Sequence, residues 1–152
     1  MRQLEWQWAS FEQLDGASWY AVLRARQDVF VLEQQCLYPD IDDADQQAYH
    51  LLAWGEVEGK RQLLAYLRCF APGAKYAEAS LGRVLTVAAA RGTGIGKQLL
   101  AEGIRRAQAL FPACAIRISA QEHLQGFYGS YGFRTVSDVY MEDGIPHVEM
   151  LR

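Results

Sequence analysis

The stretch Arg91-Gly92-Thr93-Gly94-Ile95-Gly96 narrows what this chain can become more than any other segment. Glycines in alternate positions let the backbone enter left-handed conformations, turn sharply and meet a ligand closely. The preceding Arg83-Val84-Leu85-Thr86-Val87 belongs to a predicted strand over residues 80–87. Beyond the loop, Ile95, Leu99, Leu100, Gly103, Ile104, Ala107 and Phe111 recur at helical spacing, with Lys97, Gln98, Glu102, Arg105 and Arg106 mostly opposite. Phe111-Pro112 ends that helix. A strand, a glycine turn and a helix N-terminus in succession make an anion site. The first helical N–H groups lack partners within the helix, and the helix dipole adds positive potential. The plain alternative is a glycine-rich turn with no ligand.

Three phosphate-binding patterns compete for this loop. The ATP-binding pattern G-x-x-x-x-G-K-[ST] fails twice, because Arg91 stands at its first glycine and Gln98 at its Ser/Thr. The dinucleotide pattern G-x-G-x-x-G fails at its third glycine, which is Lys97 here, and the loop lies deep in the chain rather than in a leading βαβ unit. The third pattern, [RQ]-x-x-G-x-[GA], is met by Arg91, Gly94 and Gly96.

Elsewhere Leu4, Trp6 and Trp8 alternate as in a half-buried strand, and Asp15 to Ser18 can cap a helix over about residues 17–35. Segments 49–55 and 62–70 read as an antiparallel hairpin across the turn-like stretch Glu56 to Arg61. Residues 114–120 alternate as a strand, about 122–130 form a short helix, and 133–139 and 146–151 are the last two strands. The expected fold is one α/β (α+β) domain over residues 1–152: a mixed, mostly antiparallel central sheet with helices on both faces and a single β-α-β unit near residues 80–120.

Composition excludes several classes. A net charge of −3 offers no basic field for nucleic acid. No apolar run approaches the roughly 20 residues that span a bilayer, and no signal-peptide pattern opens the chain, so a cytoplasmic protein is expected. Cys36, Cys69 and Cys114 are far apart and odd in number, as small buried side chains would be, without a disulfide framework. His50, His123 and His147 are too scattered to suggest a metal site.

The glycine loop gains meaning from Phe127-Tyr128-Gly129-Ser130-Tyr131-Gly132-Phe133 downstream of it. The two elements, in this order and with this strand-helix context over residues 80–135, resemble the GNAT acetyltransferase superfamily. Arg26-x-x-Val29-Phe30-Val31-x-Glu33-Gln34-Gln35, the Ala120-Gln121 pair and Glu142-Asp143-Gly144-Ile145-Pro146-His147 are similar to its ElaA-like branch, which extends the resemblance over nearly the full length. Two positions depart from many relatives: Ala88 stands where they carry a proline, and Gln121 where they carry a cofactor-contacting asparagine.

The resemblance implies a GNAT-type acyl-CoA N-acyltransferase fold and direct acetyl transfer from acetyl-CoA, without a metal, to an amine of a small molecule or peptide. It implies that backbone groups near Leu85 and Thr86 face the thioester and that the N–H groups of Gly92, Thr93, Gly94, Ile95, Gly96 and Lys97 hold the pyrophosphate beside Arg91, with Gln121 a further cofactor contact. Tyr128 matches the tyrosine that protonates the departing thiolate; its alternative is a core aromatic. Dimers are common among relatives, so a homodimer is possible. On the acceptor side, Arg26, Phe30 and Glu33 share one helix face, and His147 follows the turn before the last strand. Arg26 and Glu33 either pair with each other or present charge to an acceptor. Asp40, Asp42, Asp43 and Asp45 form either a solvated loop or an attractor for a cationic amine. A second function class, an acyl-CoA-binding or sensing module without turnover, has the same loop and needs no base.

Overall fold

The computed structural model describes residues 3–152. Strand β1 (Glu5–Ser10) leads into helix α1 (Gly16–Arg26), which continues as a π-helical segment, Gln27–Glu33. Asp15 caps α1, its carboxylate accepting the Ser18 N–H at 2.8 Å. Strands β2 (Ala48–Val57) and β3 (Lys60–Phe70) follow, then β4 (Ala79–Thr86), helix α2 (Ile95–Leu110), β5 (Ile116–Gln121), the short helix α3 (Gln125–Gly129), β6 (Arg134–Thr135), β7 (Tyr140–Glu142) and β8 (Ile145–Leu151).

The strands form one sheet in the order β1-β2-β3-β4-β5-β8-β6, with β7 also on β8, and every pairing but β4–β5 is antiparallel. Two apolar layers sandwich it. Val22, Ala25 and Val29 of the first helical run pack with Leu52, Trp54, Leu63, Tyr66 and Leu85 on one face. Ile95, Leu99, Leu100, Ile104 and Ala107 of α2 pack with Leu51, Leu67, Ile116 and Ile118 on the other. The expected mixed sheet with helices on both faces is the observed architecture. Gly103 lets α2 approach β3: a Cβ there would lie 2.6 Å from Leu67 Cδ2.

The β2–β3 turn is tighter than the six-residue stretch expected. Glu58 (φ 52°) and Gly59 (φ 78°) reverse the chain alone, as a two-residue turn with positive φ at both positions does. The strand expected over 133–139 is broken. Only Arg134–Thr135 and Tyr140–Glu142 pair with β8. Between them the Ser137 hydroxyl, not a backbone carbonyl, accepts the Glu149 N–H at 2.8 Å, which interrupts the ladder.

Candidate active site

Strands β4 and β5 pair only at Ala79–Ile116 and Ser80–Arg117. From Leu81 onward the two strands part, while Leu85 and Thr86 keep their pairing with Tyr66 and Ala65 of β3. The gap opens beside a register shift in β4, where Arg83 takes φ 50°. A left-handed residue with a side chain costs about 1–2 kcal/mol, and here a clamp offsets it. Arg83 Nε donates to Asp40 Oδ1 at 2.8 Å, and its Nη2 reaches Asp42 Oδ2 at 3.3 Å.

That clamp belongs to a larger ionic block. Arg26 donates to Asp40 Oδ2 (2.9 Å), Asp45 Oδ1 (2.7 Å) and the Asp40 carbonyl (2.7 Å), and it is 0% exposed. Arg68 bonds Asp42 (2.6 and 2.8 Å) and Asp45 (2.9 Å). The neighbouring guanidinium groups hold the Asp42 carboxyl well below the usual carboxylate range despite its partial burial. Two expectations are thereby corrected. Arg26 does not face an acceptor, because every nitrogen of its fork is spent on buried aspartate oxygens. The aspartate segment is not a wholly solvated loop either: Asp40 and Asp45 are buried, while Asp42 and Asp43 are exposed, Asp43 on left-handed backbone.

The glycine loop starts from a short turn, Ala88–Ala90, whose last carbonyl accepts the Thr93 hydroxyl. Gly92 (φ 76°) and Gly94 (φ 84°) adopt backbone that side chains disfavour, and the positions where their Cβ atoms would stand are open space. Gly94 is the N-cap of α2, Ile95 is buried as its anchor, and Gly96 lies against the Thr86 methyl, 3.5 Å from where its Cβ would be. Lys97 is exposed, and its carbonyl accepts the Tyr131 hydroxyl at 3.1 Å. Arg91 Nη2 donates to the Thr86 carbonyl (3.1 Å) and to Glu33 Oε1 (2.6 Å). Glu33 therefore belongs beside the glycine loop and not, as expected, beside the acceptor. It makes no pair with Arg26.

A cleft follows the gap between β4 and β5. It is walled by Leu81 to Val84 of β4 and Ile118 to Gln121 of β5. Tyr128 closes one side, its ring packed edge-on against Phe127 and Phe133 and 7% exposed. Its hydroxyl has no hydrogen-bond partner among the described residues, and burial pushes its pKa up to about 12, so it stays protonated at neutrality. Phe30 reaches the same cleft, as do Gln34, Cys36 and Tyr38, which the sequence did not mark. Gln121 Nε2 donates to Gln34 Oε1 at 3.3 Å.

The β7–β8 turn closes the other end. Asp143 (φ 51°) and Gly144 (φ 78°) make a second two-residue reversal, held to the segment after the first helical run where Cys36 Sγ meets the Asp143 carbonyl at 3.3 Å. His147 is buried, and its Nδ1 lies 2.7 Å from the Ile145 carbonyl. A carbonyl only accepts, so Nδ1 carries a proton, and Nε2 lies 3.4 Å from Glu142 Oε2. Of the other histidines, His50 is fully buried between the Tyr66 hydroxyl (2.6 Å) and the Asp45 carbonyl (3.0 Å), away from the cleft lining. Among the described residues, no cluster of His, Cys, Asp and Glu is arranged to hold a metal ion, and no helix is long and apolar enough to cross a membrane.

A strand pair splayed over a cleft, a buried tyrosine in the cleft wall and a glycine loop capping α2 make up the arrangement that the GNAT resemblance implies. The acetyltransferase (GNAT) domain family matches residues 28–152, and the chain belongs to it. It is 41% identical to a UPF0039 protein of Synechocystis sp. over 149 residues, 98% of this chain and 95% of that protein. Among solved structures it is similar to an acyl-CoA N-acyltransferase from Pseudomonas aeruginosa, at 41% identity and a TM-score of 0.91 over 99% of each chain. Escherichia coli ElaA superimposes with a TM-score of 0.89 at 37% identity, again over 99% of each chain.

Proposed function

We propose that this acyl-CoA-dependent acyltransferase moves an acetyl group from acetyl-CoA to an amine of a small molecule or peptide, by direct attack in a ternary complex. One observation carries the reading. Tyr128, its hydroxyl protonated and without a protein partner, lines the cleft where β4 leaves β5. Bound acetyl-CoA supplies an activated acyl carbonyl. The chain's own groups do the rest. The open backbone at Gly92 and Gly94 and the first N–H groups of α2 suit a pyrophosphate, with Arg91 beside it. Backbone N–H near Leu85 and Thr86, on the strand that has lost its β5 partner, is the donor for charge developing on the carbonyl oxygen. His147 Nε2 takes the proton of the attacking amine as the C–N bond forms. Tyr128 gives its proton to the sulfur as the C–S bond breaks.

Release of free CoA thiol with a panel of amines tests turnover, and a pure binding module would release none. Tyr128→Phe keeps the ring and removes only the donor. It should lower kcat by roughly 10²-fold, with acetyl-CoA affinity nearly unchanged. Tyr131→Phe is the control, since its hydroxyl is engaged with the Lys97 carbonyl. Loss of turnover in Tyr131→Phe with an active Tyr128→Phe would overturn the assignment.

A further inference from the structure

The charge of the cleft is simpler than its lining suggests. Arg68 and Arg83 both border it, yet both guanidinium groups are already taken. Arg26, Arg68 and Arg83 share Asp40, Asp42 and Asp45, each aspartate serving two arginines, three cations against three anions. The block is neutral as a unit. What remains in the lining is Lys75, which forms no ion pair among the described residues, and the carboxylates Glu142 and Asp143 with His147. Burial disfavours the Lys75 ammonium, and the Glu142 carboxylate works against that. Arg68 Nε–H is also buried and meets no acceptor among the described residues.

An acceptor amine arrives as an ammonium ion and must be drawn to a base. Glu142 and Asp143 attract it toward His147 Nε2. A simple monoamine or polyamine would then bring a second cation up to an unpaired lysine, and like charges close together in a cleft repel. A molecule with a carboxylate as well as an amine satisfies both ends.

We propose that the acceptor is a free amino carboxylic acid, bound with its carboxylate at Lys75, beside Arg68, and its amine at Glu142 and His147. The proposal rests on the acetyl-transfer reading, and it adds the second charged group of the substrate. Lys75 is the specificity residue, and the ionic block holds Arg68 and Arg83 rigid behind it.

The test uses matched compounds: a set of α-, β- and ω-amino acids, each with its amide, its methyl ester and its decarboxylated amine. Thiol release is followed at fixed acetyl-CoA. The expected result is a kcat/KM at least tenfold higher for one or more free acids than for their three neutralised partners. In Lys75→Ala that preference collapses through KM, and in Lys75→Arg it survives. Equal rates for acid and ester, or a Lys75→Ala variant that keeps the preference, would overturn the proposal. Calorimetry of the preferred acid separates this from failure of the transfer reading. Acid binding that Lys75→Ala abolishes, without thiol release from any compound, retires acetyl transfer and keeps the site. Neither binding nor release from any acid overturns the site itself.

Discussion

Two arginine-carboxylate groupings, one behind the cleft wall and one at the glycine loop, behave in opposite ways. In the block under β3 and β4, Arg26 is wholly enclosed and its aspartate partners are nearly so. At the glycine loop, Arg91 and Glu33 form a contact just as short, 2.6 Å, with side chains 46% and 39% exposed. Distance alone would rank them equal. Solvent ranks them differently: removing one member of a buried set strands its partners' charge, whereas water takes over the role of a lost exposed partner. The first grouping is therefore structural, holding the 40–45 segment and the left-handed Arg83 against the sheet. The second stays exchangeable, which suits the proposed place of Arg91 beside a pyrophosphate.

Arg26→Met should break the comparison most sharply if it is wrong. It leaves Asp40 and Asp45 buried with one cation fewer, at a cost of about 3–5 kcal/mol in chemical denaturation. Arg91→Met should cost under about 1 kcal/mol by the same measurement, and similar losses in both would erase the distinction. Gly94→Asp comes next. It should weaken acetyl-CoA binding at least tenfold, about 1.4 kcal/mol, by placing a carboxylate where a phosphate belongs, and calorimetry showing unchanged affinity in the folded variant would remove the loop from the site.

Acid should act on the buried block before it acts on the loop. Burial lowers the pKa of His50, which sits between Tyr66 and Asp45. The unfolded chain takes up a proton near pH 6.5 that the folded chain resists. The stabilisation is complete above that pH and declines as pH falls toward the lowered folded value, by up to about 1.4 kcal/mol per unit. Asp42, lowered likewise, adds a second loss below about pH 4. Urea midpoints that stay level between pH 7.5 and 5.5, or fall equally in His50→Gln, would contradict this. The smallest effect belongs to Glu33→Gln. Stability should move by under about 1 kcal/mol, and acetyl-CoA affinity should rise slightly as Arg91 is released to the phosphates. A raised acceptor KM with unchanged acetyl-CoA binding would return Glu33 to the acceptor side.

Local chemistry was readable without coordinates. The 95–110 helix follows from its apolar spacing, the loop ahead of it from glycines that alone tolerate φ near 76° and 84°, and the 48–70 hairpin from two apolar runs around Gly59. Tyr128 was singled out by a short motif, and the fold carries it to the same cleft as Phe30, Gln121 and His147. Each of these features depends on neighbours a few residues away, which is the range over which backbone propensity and side-chain period act.

Tertiary structure decided the charges. Arg26, Arg68 and Arg83 meet aspartates 14 to 43 positions distant, and Arg91 meets Glu33 across 58. Nothing in the spacing of Asp40, Asp42 and Asp45 distinguishes a solvated loop from a buried one, because the cations that make burial tolerable come from α1, β3 and β4. The extent to which β4 parts from β5 was decided by the sheet as well, through the backbone groups it leaves unpaired. Sequence period determines where a strand or helix forms. Which charges it buries depends on what the rest of the sheet brings within 3 Å.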